Sequence, residues 1–245
     1  MKLDVFFSTA GLAPQEVAGR PVFVVDVLRA TTVICAALYH GAKGIVPVAS
    51  VDEASRMAQT LGPEDVILMG ERNSEPIEGF ALGNSPLEMT EPAVRGKTLI
   101  MSTTNGTRAL LATQGASEVY VAAAANLALA GARARQLLHT GKDLVILCAG
   151  KEGRFGLDDA YAAGRLALEA IEGRRRRKGL NDAALVSVDL ARRFKTWERP
   201  LTLSAAGRQL AKLGMGADVA DAARENAYPV LPVFRDRRIT TAAVA

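Results

Sequence analysis

The sequence has few of the residue types on which several large classes of protein depend. Its 245 residues include two cysteines, two histidines and one tryptophan, and aromatic residues make up 5%. Cys35, Cys148, His40 and His139 are too few for a zinc site of several cysteine and histidine ligands, and two separated cysteines give no disulfide framework. So few aromatic side chains argue against a surface on which nucleic-acid bases stack. We therefore expect a protein of the reducing cytoplasm that binds no nucleic acid.

Long apolar segments are also missing. The longest stretches without a charged residue, such as 119–132, are shorter than the ~20 residues of a membrane-spanning helix. Asp4 follows Lys2 closely and the first apolar run ends by Pro14, which does not fit a signal peptide. We expect no membrane partner and no signal peptide.

The remaining composition is that of an ordinary globular protein, with 49% apolar and 23% charged residues. A chain of this length buries roughly 70% of its unfolded surface, so it needs no disulfide or structural metal. The net charge of +4 slightly favours an anionic small-molecule substrate.

We predict one domain over residues 1–245, with a candidate subdivision near 173–180, and a homo-oligomer is compatible with the sequence. The basic run 174–178 is typical of a solvated helix end, although an anion contact is the alternative.

Apolar, β-branched segments alternate with helical patterns along most of the chain. The predicted strands are 23–27, 45–48, 66–69, 99–101, 119–121 and 143–148. Helical patterns such as 32–39 and 52–61 lie between them. Fully apolar strands that alternate with helices predict an α/β fold in which helices cover both faces of a mostly parallel sheet.

The C-terminal part is predicted to be a helical cap on this sheet. Asn181 is placed to cap a helix that continues to Phe194, and two further helices are expected over 200–213 and 216–227. A short strand over 230–234 contains Pro232, which favours the edge of the sheet.

Residues 37–50 and 111–124 echo each other in pattern. Gly41 aligns with Gly115, and each is followed by an apolar strand. Either an internal repeat or the general likeness of strand–turn–helix units explains this echo.

Polar turns follow four of the predicted strands. Ligands bind at the carboxyl ends of strands in parallel sheets. The turns at these ends are rich in carboxylates, hydroxyls, glycine and arginine, and they span 26–32, 70–73 with the loop 79–86, 102–107, and 149–159. Their coincidence predicts a ligand site at this edge.

The residue types in these turns suit an anion together with a hard cation. Thr31, Thr32 and the segment 103–107 lie at helix starts, where hydroxyls and free N–H groups can bind an anion, although helix capping alone would also explain them. Arg29 and Arg72 can bind phosphate or sulfonate in a bidentate manner. Carboxylates without histidine or cysteine favour Mg²⁺, and the candidates are Asp26, Glu71, Glu152, Asp158 and Asp159. One member of the pair Asp158 and Asp159 could instead cap the helix that follows.

Two known phosphatase designs fit less well. Asp26 and either Ser102 or Thr103 match part of a haloacid-dehalogenase site, but Leu28 stands where that design needs its acid–base aspartate. Cys148 and Arg154 have the Cys-x₅-Arg spacing of a cysteine phosphatase, in which a low-pKa thiolate attacks phosphorus. Glu152 inside that loop would repel phosphate and raise the pKa of the thiol.

Taken together, the motifs resemble the 2-phosphosulfolactate phosphatase family. The matching segments are VVDVLRATTVICAAL (24–38), GERNSEPIEGFALGNSPLE (70–88), STTNGTRAL (102–110), CAGKEGRFGLDDAYAAG (148–164) and, more weakly, DVADAARENAYPVLP (218–232). The resemblance implies a three-layer α/β/α fold and an Mg²⁺-dependent hydrolase that removes phosphate from 2-phospho-3-sulfolactate, a step of coenzyme M biosynthesis in methanogens. The family commonly has Glu-Asp where this chain has Asp158-Asp159.

The residue chemistry and the resemblance lead to one hypothesis. Asp26 and Arg29 are the predicted catalytic residues, with Asp26 as a ligand of Mg²⁺, a base or a nucleophile. The acidic residues named above complete the cation site. The predicted substrate-binding residues are Arg29, Thr31, Thr32, Arg72, Asn84, Ser85, Thr103, Thr104, Asn105, Gly106 and Thr107. A non-catalytic anion-binding protein is the alternative of another class.

Overall fold

The computed structural model describes residues 2–62, 65–173 and 178–242, and within these ranges ten strands form one sheet. The strands are β1 (Leu3–Phe6), β2 (Pro21–Val25), β3 (Gly44–Pro47), β4 (Val66–Arg72), β5 (Glu75–Pro76), β6 (Thr98–Ser102), β7 (Glu118–Ala122), β8 (Leu144–Cys148), β9 (Pro232–Arg235) and β10 (Arg238–Thr241). Their order across the sheet is β1-β8-β2-β7-β9-β10-β3-β6-β4-β5. All six predicted strands of the first 150 residues are present, whereas β1, β5 and β10 were not predicted.

The helices of the described residues lie between these strands and after β8. They are α1 (Pro14–Val17), α2 (Ala30–Tyr39), α3 (Val51–Leu61), α4 (Glu91–Val94), α5 (Gly106–Leu111), α6 (Leu127–His139), α7 (Leu157–Ala170), α8 (Asp182–Arg193), α9 (Glu198–Leu203), α10 (Ala205–Lys212) and α11 (Gly216–Ala222). Asn181 caps α8 as predicted, because its side-chain oxygen accepts the Ala184 N–H at 2.9 Å. Most of the basic run, residues 174–177, lies outside the described residues, as do parts of the predicted subdivision near 173–180.

The sheet consists of two parallel groups that a hairpin joins. One group contains β1, β8, β2 and β7, and the other contains β3, β6 and β4. The β9–β10 hairpin lies between them, with three antiparallel pairings in succession. The two parallel groups therefore run in opposite directions.

The edge position predicted for the strand around Pro232 is wrong, because β9 lies inside the sheet. Proline is tolerated there since Pro232 is the first residue of β9, and β9 pairs with β7 through the single pair Tyr120 and Val233. The missing N–H of Pro232 thus interrupts no long ladder.

Alternate strand residues face two separate apolar layers. In β2, Val22 and Val24 pack with α2 and α5, while Phe23 and Val25 pack with α6, α7 and α8. A third cluster contains Ile100 and covers the inner side of α3. Helices thus lie on both faces of the sheet, as the three-layer prediction requires.

Helix α2 shares one apolar cluster with strands of both groups. Val24 of the first strand group and Met101 of the second belong to the same apolar cluster as α2, and every residue from Ala30 to Leu38 is buried. This burial explains why α2 is almost wholly apolar and lacks a polar face. It also brings the two groups of strands close together at their ends.

The C-terminal helices differ from their predicted bounds. The helix expected over 200–213 is two helices, because Ser204 ends α9 and caps α10 by accepting the Gly207 N–H at 2.8 Å. The helix expected over 216–227 ends at Ala222. No helix in the described parts of the chain combines the length and the hydropathy needed to span a membrane.

The two echoing segments form equivalent units, β2–α2–β3 and β6–α5–β7. Gly41 and Gly115 link helix to strand with the same φ of +91°, a conformation that favours glycine. The first unit begins with β2 in one strand group and ends with β3 in the other. The second unit begins with β6 in the group of β3 and ends with β7 in the group of β2.

Candidate active site

The turns after β2, β4, β6 and β8 come together around one small cleft of about 60 Å³. The sequence predicted this convergence at one edge of a parallel sheet, but β2 and β8 run opposite to β4 and β6, so the turns come from two strand groups of opposite direction. The start of α10 closes the cleft from the other side. The lining residues are Asp26, Leu28, Arg29, Glu71, Ser74, Asn84, Asn105, Gly150, Lys151, Gly156, Asp158, Asp159, Ala205 and Ala206.

Asp26 directly follows β2 and is 8% exposed. The turn holds it in place, because Ala30 N–H donates to Asp26 Oδ1 at 3.3 Å and Asp26 N–H donates to Thr31 Oγ1 at 3.1 Å. Burial raises the pKa of Asp26 to about 7, and the charges of Asp158 and Glu71 add to this rise. A carboxyl group that titrates near neutral pH is suited to proton transfer, or to a cation that restores its charge.

Asp158 and Asp159 begin α7 but have different surroundings. Burial raises the pKa of Asp158 to about 6, while the N–H groups of Asp158 and Asp159 and the charge of Lys151 oppose the rise. Asp159 accepts the Val27 N–H at 2.9 Å and the Gly150 N–H at 3.0 Å, one on each oxygen. Asp159 therefore ties the turn after β2 to the turn after β8, and Asp158 has the carboxylate that is freer to meet a ligand.

Glu71 ties the other two turns together. Its carboxylate accepts N–H groups from Ser74 at 2.7 Å and Thr104 at 2.6 Å, and the Thr104 hydroxyl at 3.1 Å. Gly70 before it has a φ of +153°, and a Cβ there would lie 2.0 Å from the carbonyl oxygen of Ser102. Only glycine allows β4 to approach β6 this closely beside the cleft.

Two basic residues line the cleft. The Arg29 guanidinium is buried, donates to the Ser74 carbonyl at 2.7 Å and pairs with Asp218 at 2.6 Å. Lys151 Nζ donates to the side-chain oxygen of Gln209 on α10. Lys151 was visible in the turn after β8 but was not assigned a role, and no sequence signal pointed to α10.

Asn84 has an unpartnered oxygen. The residue is 4% exposed and lines the cleft, yet its Oδ1 has no hydrogen-bond partner among the described residues. A buried acceptor without a donor costs free energy unless a ligand meets it. The position favours a cation or a donor group of a substrate.

Four threonines predicted to contact substrate do not line the cleft. The hydroxyls of Thr31 and Thr32 bond to the backbone of Asp26 and Val27. Thr103 Oγ1 accepts the Thr107 N–H, and the Thr107 hydroxyl donates to the Thr103 carbonyl. These hydrogen bonds are the turn and helix-start contacts that the sequence had left as the alternative.

Four other residues predicted to contact substrate do not line the cleft either. Arg72 donates to the Glu71 carbonyl and the Ser102 hydroxyl, Ser85 donates to Asp218, and Thr104 donates to Glu71. The lining residues do not include Gly106 either. These residues support Asp26, Arg29 and Glu71.

Glu152 is apart from the other predicted cation ligands. It is exposed, has a φ of +52° and does not line the cleft. Its N–H donates to Asn105 Oδ1 at 3.2 Å, so it contributes its backbone to the site, while Asn105 itself lines the cleft.

Cys148 lacks the properties of a thiolate nucleophile. It is 1% exposed, and burial raises its pKa well above its ordinary value, with further contributions from Asp159 and Asp158. Arg154 is exposed and does not line the cleft. A reactive cysteine needs a lowered pKa and access to substrate, so the geometry argues against the cysteine-phosphatase alternative.

The cleft carries more negative than positive side chains. Among its lining residues, Asp26, Glu71, Asp158 and Asp159 outnumber Arg29 and Lys151. Within residues 2–62, 65–173 and 178–242, no three histidine, cysteine, aspartate or glutamate side chains form a ready-made metal cluster. Mg²⁺ commonly binds through only one or two carboxylates and several waters, so Asp158 and the unpartnered oxygen of Asn84 provide a suitable donor set, and Asp26 lines the same cleft.

The fold and the cleft define a three-layer α/β/α protein with an acidic ligand site where four strand ends meet. The chain belongs to the 2-phosphosulpholactate phosphatase family, because the model of that family matches residues 7–237. This match confirms the resemblance drawn from the sequence segments.

Individual relatives are similar over most of the chain. A protein of Symbiobacterium thermophilum is 40% identical over 226 residues, which cover 92% of this chain and 95% of the relative. One of Clostridium acetobutylicum is 33% identical over 239 residues, or 98% of this chain and 100% of the relative. One of Caldanaerobacter subterraneus is 43% identical over 166 residues, or 68% of each chain. All three are named "probable 2-phosphosulfolactate phosphatase".

Proposed function

We propose that this protein is an Mg²⁺-dependent phosphatase that hydrolyses 2-phospho-3-sulfolactate to 3-sulfolactate and inorganic phosphate. Family membership and the names of the relatives support the reaction and the substrate. The observation that carries the proposal is the buried Asp26 carboxyl group at the end of β2, with a pKa of about 7, in a cleft that Arg29 also lines.

The excess of carboxylates supports the requirement for a cation. A substrate with a phosphate, a carboxylate and a sulfonate would be repelled by these acidic side chains wherever they are ionised. Asp158 and Asn84 would hold Mg²⁺, which supplies charge neutralisation at the phosphoryl group when bound. Asp26 lines the same cleft, so the positive charge of the ion would favour the ionised form of its carboxyl group.

The residues of this chain perform the remaining tasks. Arg29 and Lys151 bind anionic oxygens of the substrate, and α10 limits access of bulk water to the cleft. Asp26 accepts a proton from the attacking water as the new P–O bond forms and the ester P–O bond breaks. The protonated Asp26 then gives this proton, directly or through water, to the leaving oxygen, which yields the hydroxy acid and phosphate and restores the Asp26 carboxylate.

A phosphatase assay with 2-phosphosulfolactate and phospholactate side by side tests this proposal. We expect phosphate release from the sulfonate substrate to exceed that from phospholactate, to stop with EDTA and to return with Mg²⁺. Activity that survives EDTA but is lost on thiol alkylation would favour the Cys148 mechanism instead. No release from either ester would favour the non-catalytic anion-binding protein.

A further inference from the structure

Asp218 on α11 is buried against the candidate site although it was not predicted to belong to it. Its Oδ2 lies 2.6 Å from Arg29 Nη1, across 189 positions of sequence, and the two side chains are 5% and 4% exposed. The Ser85 hydroxyl donates to the other carboxylate oxygen, also at 2.6 Å. Asp218 is therefore held at both oxygens.

The Arg29 guanidinium is fixed from two sides. Nη1 contacts Asp218 and lies 3.2 Å from the sulfur of Met215, while Nη2 donates to the carbonyl of Ser74. A guanidinium has five N–H donors in one rigid plane, so contacts at both terminal nitrogens set the direction of the rest. Arg29 is among the residues that line the cleft.

We propose that Asp218 is a positioning residue, which together with Ser85 directs the Arg29 guanidinium toward the anionic substrate. This inference rests on the proposed function. A charged donor that is already oriented loses little conformational freedom when substrate binds, and small displacements of such groups can lower rates by ~10²-fold. Asp218 on α11 would thereby affect catalysis through Arg29, which lies 189 positions earlier in the sequence.

Asp221 provides a matched control on the same helix. It is 4% exposed, as Asp218 is, and accepts hydrogen bonds from Tyr228 and Arg224 at 2.8 Å, away from the cleft-lining residues. Asp221→Asn removes a buried, hydrogen-bonded carboxylate as Asp218→Asn does, but Arg224 is 62% exposed, so Asp221→Asn should cost less stability. Activity of the two variants is therefore compared on folded protein well below the Tm. They should differ in their effect on Arg29.

The test compares Asp218→Asn, Asp221→Asn, Arg29→Lys and the double variant Arg29→Lys/Asp218→Asn. We expect Asp218→Asn to lower kcat/KM at least ~10-fold and Asp221→Asn to change it less than ~3-fold. In the Arg29→Lys background, Asp218→Asn should add less than ~3-fold, because lysine has no planar guanidinium for Asp218 to orient. Full additivity, or equal losses at Asp218 and Asp221, would overturn the positioning role.

Binding of inorganic phosphate in the presence of Mg²⁺ gives a second measurement that needs no turnover. Asp218→Asn and Arg29→Lys should each weaken phosphate binding by ~5-fold or more in calorimetry, and Asp221→Asn should not.

If Asp218→Asn does not fold, Ser85→Ala should still lower kcat/KM by ~3-fold, since it removes one contact to Asp218. An unchanged Ser85→Ala then overturns the inference. A wild type without phosphatase activity but with these binding differences would overturn the proposed function alone.

Discussion

Asp158 at the start of α7 raises the pKa of Asp26 at the end of β2, in addition to the larger rise that burial causes. Two carboxyl groups in one buried cleft cannot both ionise freely without a compensating positive charge. Arg29 opposes the rise in the pKa of Asp26, but it is itself paired with Asp218. Ionisation of both Asp26 and Asp158 therefore destabilises the folded protein.

The metal-free protein should lose stability as the pH rises toward 8. Asp26 has a pKa of about 7 in the folded protein and an ordinary value near 3.8, so the folded state holds the extra proton between these values. Stability then falls with rising pH over this window, and Asp158, with a pKa of about 6, acts in the same direction. We expect the Tm with EDTA to fall by at least ~2 °C from about pH 5 to about pH 8, as ~1 kcal/mol would give.

Mg²⁺ and Asp26→Asn provide the controls for this pH dependence. Added Mg²⁺ should raise the Tm most at the upper end of the range, because it binds the ionised carboxylates. Asp26→Asn should have a flatter profile than the wild type. A Tm with EDTA that stays constant or rises over the range would contradict the assigned direction.

Asp26→Asn should lower kcat by at least ~10²-fold, because the amide cannot accept the proton from water. Phosphate release from 2-phosphosulfolactate at saturating Mg²⁺ measures the loss. The exposed Asp52 in the first turn of α3 is a suitable comparison, and Asp52→Asn should leave kcat unchanged. An Asp26→Asn protein with nearly normal turnover would remove Asp26 from the mechanism.

Strand ends were predictable because they depend on local patterns. Asp26 follows β2 and Glu71 lies near the end of β4, whereas Asp158 begins α7 after the long turn that follows β8. The rule for ligands at the carboxyl ends of strands pointed to these turns, and all three residues line one cleft. Thr31 and Thr103 were placed in the right turns, but a threonine at a helix start has the same pattern whether it binds an anion or the backbone.

Asp218 and the interior position of β9 depend on contacts between distant parts of the chain. The pair Arg29 and Asp218 joins the turn before α2 to helix α11, which lie 189 positions apart, and no local periodicity predicts this contact. β9 pairs with β7 across more than 100 residues through Tyr120 and Val233. Local propensity does not determine such long-range pairings.

Cys148→Ala should retain phosphatase activity within ~3-fold of the wild type, since a buried thiol with a raised pKa supplies no nucleophile at neutral pH. The side chain packs in the core with Val25 and Ile146, so the substitution should cost ~1 kcal/mol of stability through the lost contacts. Initial rates measured well below the Tm separate the two effects. Loss of turnover in a folded Cys148→Ala protein would revive the cysteine mechanism.

Gly106→Ala should damage both stability and activity, because α5 begins directly against the catalytic turn. A Cβ at Gly106 would lie 2.4 Å from the Cβ of Ala30 and 2.8 Å from Oδ2 of Asp26. Relief of these contacts requires α5 or the Asp26 turn to move, at a cost of ~1–3 kcal/mol. The Tm and kcat should therefore fall together.

Gly216→Ala is the matched control, because a Cβ there meets nothing within 4 Å. It should leave kcat unchanged and keep or slightly raise the Tm, so equal losses at Gly106 and Gly216 would refute the steric explanation.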